Sequence, residues 1–252
     1  MMEESKRIKV LDIPVDMVNN VQAMETFKKL MNRPGCELIV TPNSEIIMNA
    51  TRDDELRMLI EEAGLIIPDG IGLVYASKII GEPLKERVTG VDFLTSILEY
   101  LEATGQSIFL LGSKPANEER ASVADLAAEN MLIRFPNLKI AGTQDGYFKK
   151  EDEAELVQRI NDSGASFLCV ALGAPKQEKF IYEHRNEFTN IRAGIGVGGS
   201  LDVWAGTVKR APKFYQQHGL EWLYRLIQEP SRYKRMAQLP LFMIKVIAKG
   251  KR

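Results

Sequence analysis

Asp69 lies in Ile67-Pro68-Asp69-Gly70, where a short apolar run stops at a proline and a helical pattern follows. A carboxylate at the mouth of a strand is placed to take a proton from a hydroxyl nucleophile, the work of a general base. The competing reading is an Asp-Gly turn with no chemistry. Arg87, in Lys85-Glu86-Arg87-Val88-Thr89-Gly90, would bring positive charge nearby. Other apolar runs also end in polar and glycine residues. These are Thr41-Pro42-Asn43-Ser44-Glu45, Gly112-Ser113-Lys114-Pro115, Gly173-Ala174-Pro175-Lys176-Gln177-Glu178, and the stretch from Gly196 through Gly198 to Asp202. Three of them are glycine-bearing strand-to-helix turns. Such turns expose backbone N–H groups at helix starts, and three on one edge suit a nucleotide-sized anion.

Several chemistries find no support. Gly194, Gly196 and Gly199 match G-x-G-x-x-G, but the acid at the right distance, Glu221, falls on a helical pattern with no strand before it. There is no Walker A sequence and no D-x-D metal signature. His184 and His218 are unpaired by spacing, and Cys36 and Cys169 form neither a metal-binding spacing nor a disulfide framework. A reducing compartment fits this cysteine usage. No resident metal or cofactor is implied.

The elements that must position these residues are legible in the periodicity. Apolar runs at Ile8–Ile13, Glu37–Val40, Leu65–Ile67, Ser107–Leu111, Leu138–Ala141, Ser166–Leu172 and Ile191–Ile195 alternate with longer amphipathic stretches. This alternation predicts an α/β fold: a Rossmann-like, mostly parallel sheet with helices on both faces. Ligands of such sheets bind beyond the carboxyl ends of the strands, where the residues above cluster. After Ile195 the strands stop, and Gly219–Ala248 reads as helices broken by Pro230 and Pro240. The expected division is a catalytic core over residues 1–204 and a helical appendage over 205–252.

Charge separates the same two parts. The segment from Ala205 carries eleven Lys and Arg against two acids, net +9, in a chain whose total is −1. A basic tail on an acidic body calls for an anionic partner: lipid, nucleic acid or phosphate. The tail also holds Trp222, Leu223, Tyr224, Leu226, Ile227 and a second apolar group from Leu239 to Ile247. No apolar run reaches the roughly 18 residues of a membrane span. A basic, apolar helical segment of this kind is expected to lie on an anionic bilayer surface. The N-terminus shows no apolar signal-peptide core.

The strand-end motifs, with Arg210-Ala211-Pro212, Gly219-Leu220-Glu221-Trp222-Leu223-Tyr224-Arg225-Leu226 and Glu229-Pro230-Ser231-Arg232, resemble the WecG/TagA/CpsF glycosyltransferases over nearly the whole chain. The resemblance is nearest to the N-acetylmannosaminyltransferase branch. It implies inverting, metal-independent transfer of N-acetylmannosamine from UDP-N-acetylmannosamine to undecaprenyl-diphosphate-linked N-acetylglucosamine, in wall teichoic acid linkage-unit synthesis. Other members use UDP-N-acetylmannosaminuronic acid or add glucose. A non-catalytic nucleotide-binding module on the membrane is the alternative from another class. The resemblance makes Asp69 the base, with Thr41 beside it and Asn43 nearby. Arg87 and Gln177 would contact sugar or diphosphate. Arg225, Arg232 and Arg235 would reach over the pocket to neutralise leaving UDP; on one helix continued past Pro230 they would share a face. Gly70, Gly112, Gly173, Gly198 and Asp202 complete the expected substrate site. Lys176 and Glu178 would serve uridine binding or the helix start. The implied setting is the cytoplasmic face of the cell membrane, with no nucleic acid partner and with self-association left open. A chain ending near Ala205 is expected to stay folded and bind UDP while losing transfer.

Overall fold

The computed structural model describes residues 6–230, Tyr233 and residues 237–250; Arg232 and Arg235 lie outside the described residues. The chain opens with β1 (Arg7–Val10) and β2 (Ile13–Asp16), an antiparallel hairpin. The run Ile8–Ile13 is therefore not one strand of the main sheet. Leu11 and Asp12 take left-handed φ of 52° and 69° and turn the chain back on itself. Leu11 gives no sign of that conformation, which favours Gly and, less often, Asn or Asp.

The main sheet consists of β3 (Glu37–Val40), β4 (Leu65–Ile66), β5 (Ser107–Gly112), β6 (Lys139–Gln144), β7 (Phe167–Ala171) and β8 (Ala193–Gly196). All pairings are parallel, in the order β4-β3-β8-β7-β5-β6. The helices are α1 (Asn20–Met31), α2 (Ser44–Ala50), α3 (Asp54–Glu61), α4 (Ile71–Ile79), α5 (Gly90–Thr104), α6 (Val123–Arg134), α7 (Glu153–Asp162), α8 (Lys176–His184), α9 (Ser200–Trp204), α10 (Lys213–Gln217), α11 (Glu221–Gln228) and α12 (Gln238–Gly250).

Strand alternation builds two cores. Leu38, Val40, Leu168 and Val170 face one way and meet α2, α3, α4, α7, α8 and α12. Ile39, Phe167, Cys169 and Ile195 face the other and meet α1, α5, α6 and α9. Helix starts follow side-chain chemistry. The Asn43 side chain accepts from the N–H groups of Glu45 and Ile46 and starts α2; Thr89 caps α5 in the same manner. The α5 stripe Phe93, Leu94, Ile97, Leu98 and Leu101 is buried at helical spacing.

The C-terminal segment departs from its expected pattern. α11 stops at Gln228, since the residue before Pro230 is pushed out of helical geometry. The helix that carries Arg225 therefore does not continue past Pro230. Pro240 is the third residue of α12, in a first turn that needs no N–H donor there, so it does not break the helix. α12 then packs on α2 and α4, and Phe242 and Val246 are buried in the same core as Leu73 and Ala76. Burying one such phenylalanine contributes about 1.5–3 kcal/mol. Among the described residues, no helix is long and apolar enough to cross a membrane.

Candidate active site

An open cavity of about 770 Å³ lies at the carboxyl ends of all six parallel strands. Its floor and walls come from Thr41 and Asn43 after β3, Asp69 and Gly70 after β4, and Ser113 and Lys114 after β5. Gly146 and Tyr147 follow β6, Gly173 and Gln177 follow β7, and Gly198 and Asp202 follow β8. Arg210, Glu221, Trp222 and Arg225 reach it from the segment beyond the last strand. The volume lies within the usual range for small-molecule sites.

Asp69 is held from both sides. Its N–H donates to the Pro42 carbonyl at 3.1 Å, and the Val88 N–H donates to the Pro68 carbonyl at 3.2 Å. The Gly90 N–H donates to the Asp69 carboxylate. The residue lies deep yet keeps part of its surface open to the cavity. Burial pushes its pKa up to about 6, against the opposing pull of Arg87 and Arg225, and Glu221 adds to the rise. A carboxylate so tuned is ionised at neutral pH and is a stronger base than an exposed aspartate.

Around it, side chains lock strand ends together. The Thr41 hydroxyl donates to the Gly196 carbonyl at 3.1 Å, tying the end of β3 to β8. The Gln177 amide oxygen accepts from the Gly198 N–H at 3.1 Å, and its amide nitrogen donates to Glu178 at 2.8 Å. Ser113 donates to Asp202 at 3.0 Å, joining the turns after β5 and β8. The Arg87 guanidinium donates to the Glu221 carboxylate, and Arg210 pairs with Asp92 at 2.7 Å.

Among the described residues, three of the expected site residues do not line the cavity. Gly112 serves the sheet: at φ 126°, a Cβ there would stand 2.5 Å from the backbone of Ala171. Lys176 is exposed at the start of α8. Glu178 is fully buried behind Gln177, and burial pushes it toward its neutral form. Among the described residues its Oε2 has no hydrogen-bond partner. His184 sits apart from the cavity with Glu153 and Glu187, and His218 bonds the Phe214 carbonyl. Among the described residues, the one carboxylate–histidine group with metal-like spacing is Glu153, Glu183 and His184, none of which lines the cavity.

Residues 8–252 match the model of the family described as Glycosyl transferase WecG/TagA/CpsF. The chain belongs to that family. A Bacillus spizizenii protein named N-acetylglucosaminyldiphosphoundecaprenol N-acetyl-beta-D-mannosaminyltransferase is 36% identical over 245 residues, 97% of this chain and 91% of its own length. A Staphylococcus aureus protein of the same name is 35% identical over 248 residues, 98% of this chain and 94% of its own. In this WecG/TagA/CpsF glycosyltransferase, the cavity gathers a carboxylate of raised pKa and several guanidinium groups within a single chamber. Among the lining residues that pattern reading did not assign are Ser113, Tyr147, Arg210 and Glu221. Ser113, Arg210 and Glu221 stand in motifs quoted above, whereas Tyr147 follows β6 without a motif of its own.

Proposed function

We propose that this enzyme moves N-acetylmannosamine from UDP-N-acetylmannosamine to N-acetylglucosamine on undecaprenyl diphosphate, with inversion. The acceptor hydroxyl oxygen attacks the anomeric carbon of the donor and its proton passes to the Asp69 carboxylate. The bond from the anomeric carbon to the diphosphate oxygen breaks, and UDP leaves with the electron pair. Arg225 and Arg87 stabilise the charge that develops on that oxygen, which is where fixed cations are worth most. Thr41 and Gln177 hold the strand ends that frame Asp69. The observation that carries this reading is the deep, partly open Asp69 carboxylate, raised to about 6 between two arginines.

Membrane attachment fits the same reading. Leu241, Ile244 and Ile247 stand exposed on α12 beside Lys245 and Lys249, a composition suited to an anionic bilayer surface. A lipid-linked acceptor would then meet the cavity at the inner face of the membrane. The test is a transfer assay with purified protein and a short-chain lipid-diphosphate N-acetylglucosamine acceptor. UDP-N-acetylmannosamine, UDP-N-acetylmannosaminuronic acid and UDP-glucose are compared as donors. The proposal expects product from the first; turnover from another donor alone would reassign the sugar, and no turnover from any would favour a binding module.

A further inference from the structure

We propose that Glu221 is a positioning residue for this reaction, one that orients Arg87 over the cavity floor and sets α11 so that Arg225 enters the same chamber. The inference rests on the proposed function, since it concerns the cations that serve Asp69. Arg87 and Glu221 are 134 positions apart, yet their side chains are only 14% and 16% exposed where they meet. The pair is thus largely withdrawn from water, where a lost partner leaves a costly unpaired charge. The guanidinium has no other hydrogen-bond acceptor among the described residues, and its Nε–H is buried without one. Glu221 therefore fixes the orientation of Arg87.

The contact also registers the helix. Glu221 opens α11, and Arg225 lies four residues on, on the same face. The turn just before is seated on the body: at Gly219, φ 68°, a Cβ would stand 2.7 Å from the Ile71 side chain. Ile71 begins the helix that follows Asp69. Among the described residues, the charged groups acting on Asp69 are Arg87, Arg225 and Glu221, so the carboxylate that holds Arg87 also adds its own field.

The experiment measures kcat, KM for the UDP-sugar and the pH–rate profile of Glu221→Gln and Glu221→Asp, with Asp69→Asn in parallel and thermal melting of each. Glu221→Gln is expected to lower kcat about 10–10²-fold, the scale of a misplaced catalytic group. Its acid limb should shift, because the charge of Glu221 near Asp69 is gone and Arg87 and Arg225, which oppose the rise, lose their placement. Glu221→Asp, which keeps the charge, should recover part of the rate. A merely structural role would lower the melting temperature and leave the acid limb in place. A folded Glu221→Gln with kcat within about threefold of wild type and an unmoved acid limb overturns the inference. So does tighter UDP binding at unchanged kcat, which would make Glu221 a competitor for Arg87. Loss of rate in Asp69→Asn beside either result shows that the inference alone has failed. An active Asp69→Asn shows that the proposed base was wrong.

Discussion

The floor of the cavity and its roof are built by different means. On the floor, Thr41, Asp69, Gln177 and Asp202 are fixed by hydrogen bonds between strand ends of a sheet buried on both faces. On the roof, α11 has no fully buried residue among those described and is held by Arg87–Glu221 and by Gly219 against Ile71. α12, beyond it, returns to the core through Phe242 and Val246. The strap that α11 forms over the cavity and the α12 that follows it are thus anchored to the body at separate places. The floor carries a cost: Asp69 has a folded-state pKa of about 6, above the ordinary 3.8, so its contribution to stability falls as pH rises from about 4 to 6.

The sharpest way to break this comparison is at the far anchor. Phe242→Ala is expected to destabilise the fold by about 3–5 kcal/mol, read by urea denaturation. A change under about 1 kcal/mol would make α12 a surface attachment. A chain ending near Ala205 loses the same anchor and should melt earlier than the full chain. On the strap itself, Arg225→Ala should cost on the order of 10²-fold in kcat, as removal of a charge-stabilising donor does. Its melting temperature should hold. An equal loss of both would put Arg225 among the structural residues.

Beneath the floor, Glu178 separates shape from charge. Glu178→Gln keeps the amide-facing oxygen and should leave stability and rate near wild type, because burial already favours the neutral acid. Glu178→Ala removes the partner of Gln177 and should cost about 1–3 kcal/mol, the usual penalty of an orphaned buried polar group. If Glu178→Gln is as damaging as Glu178→Ala, the carboxylate itself is required. The smallest effect is expected from EDTA, which should leave the rate unchanged; loss of activity restored by Mg²⁺ would call for a metal in the mechanism.

The same division explains what could be read in the sequence. Buried strands are continuous apolar runs, so β3, β4, β5, β7 and β8 and the residues at their ends are visible, Asp69 among them, whereas the partly exposed edge strand β6 shows only as the short run Leu138–Ala141. The hairpin was hidden because Leu11 and Asp12 turn at positive φ without a glycine. The short α2 was hidden too, although Asn43 ahead of Ser44-Glu45 is a helix-start signal. The roof was the least legible. Glu221 matches the spacing of a dinucleotide-site acid but not its strand context, and its pairing with Arg87 is set by the placement of α11 rather than by any local pattern. Gly112 looked like ligand chemistry because a strand-end glycine serves phosphate and close strand packing equally well.

The central claim, that Asp69 is the base, is tested most directly by the transfer rate of wild type against Asp69→Asn across about pH 5 to 8. The account predicts a deficit of roughly 10²–10⁴-fold at the upper end, with UDP affinity retained. Toward pH 5 the gap should narrow, as the wild type loses its charged carboxylate below about 6. An Asp69→Asn enzyme that keeps pace with wild type at every pH would contradict it and leave Asp69 as a turn residue at the mouth of a strand.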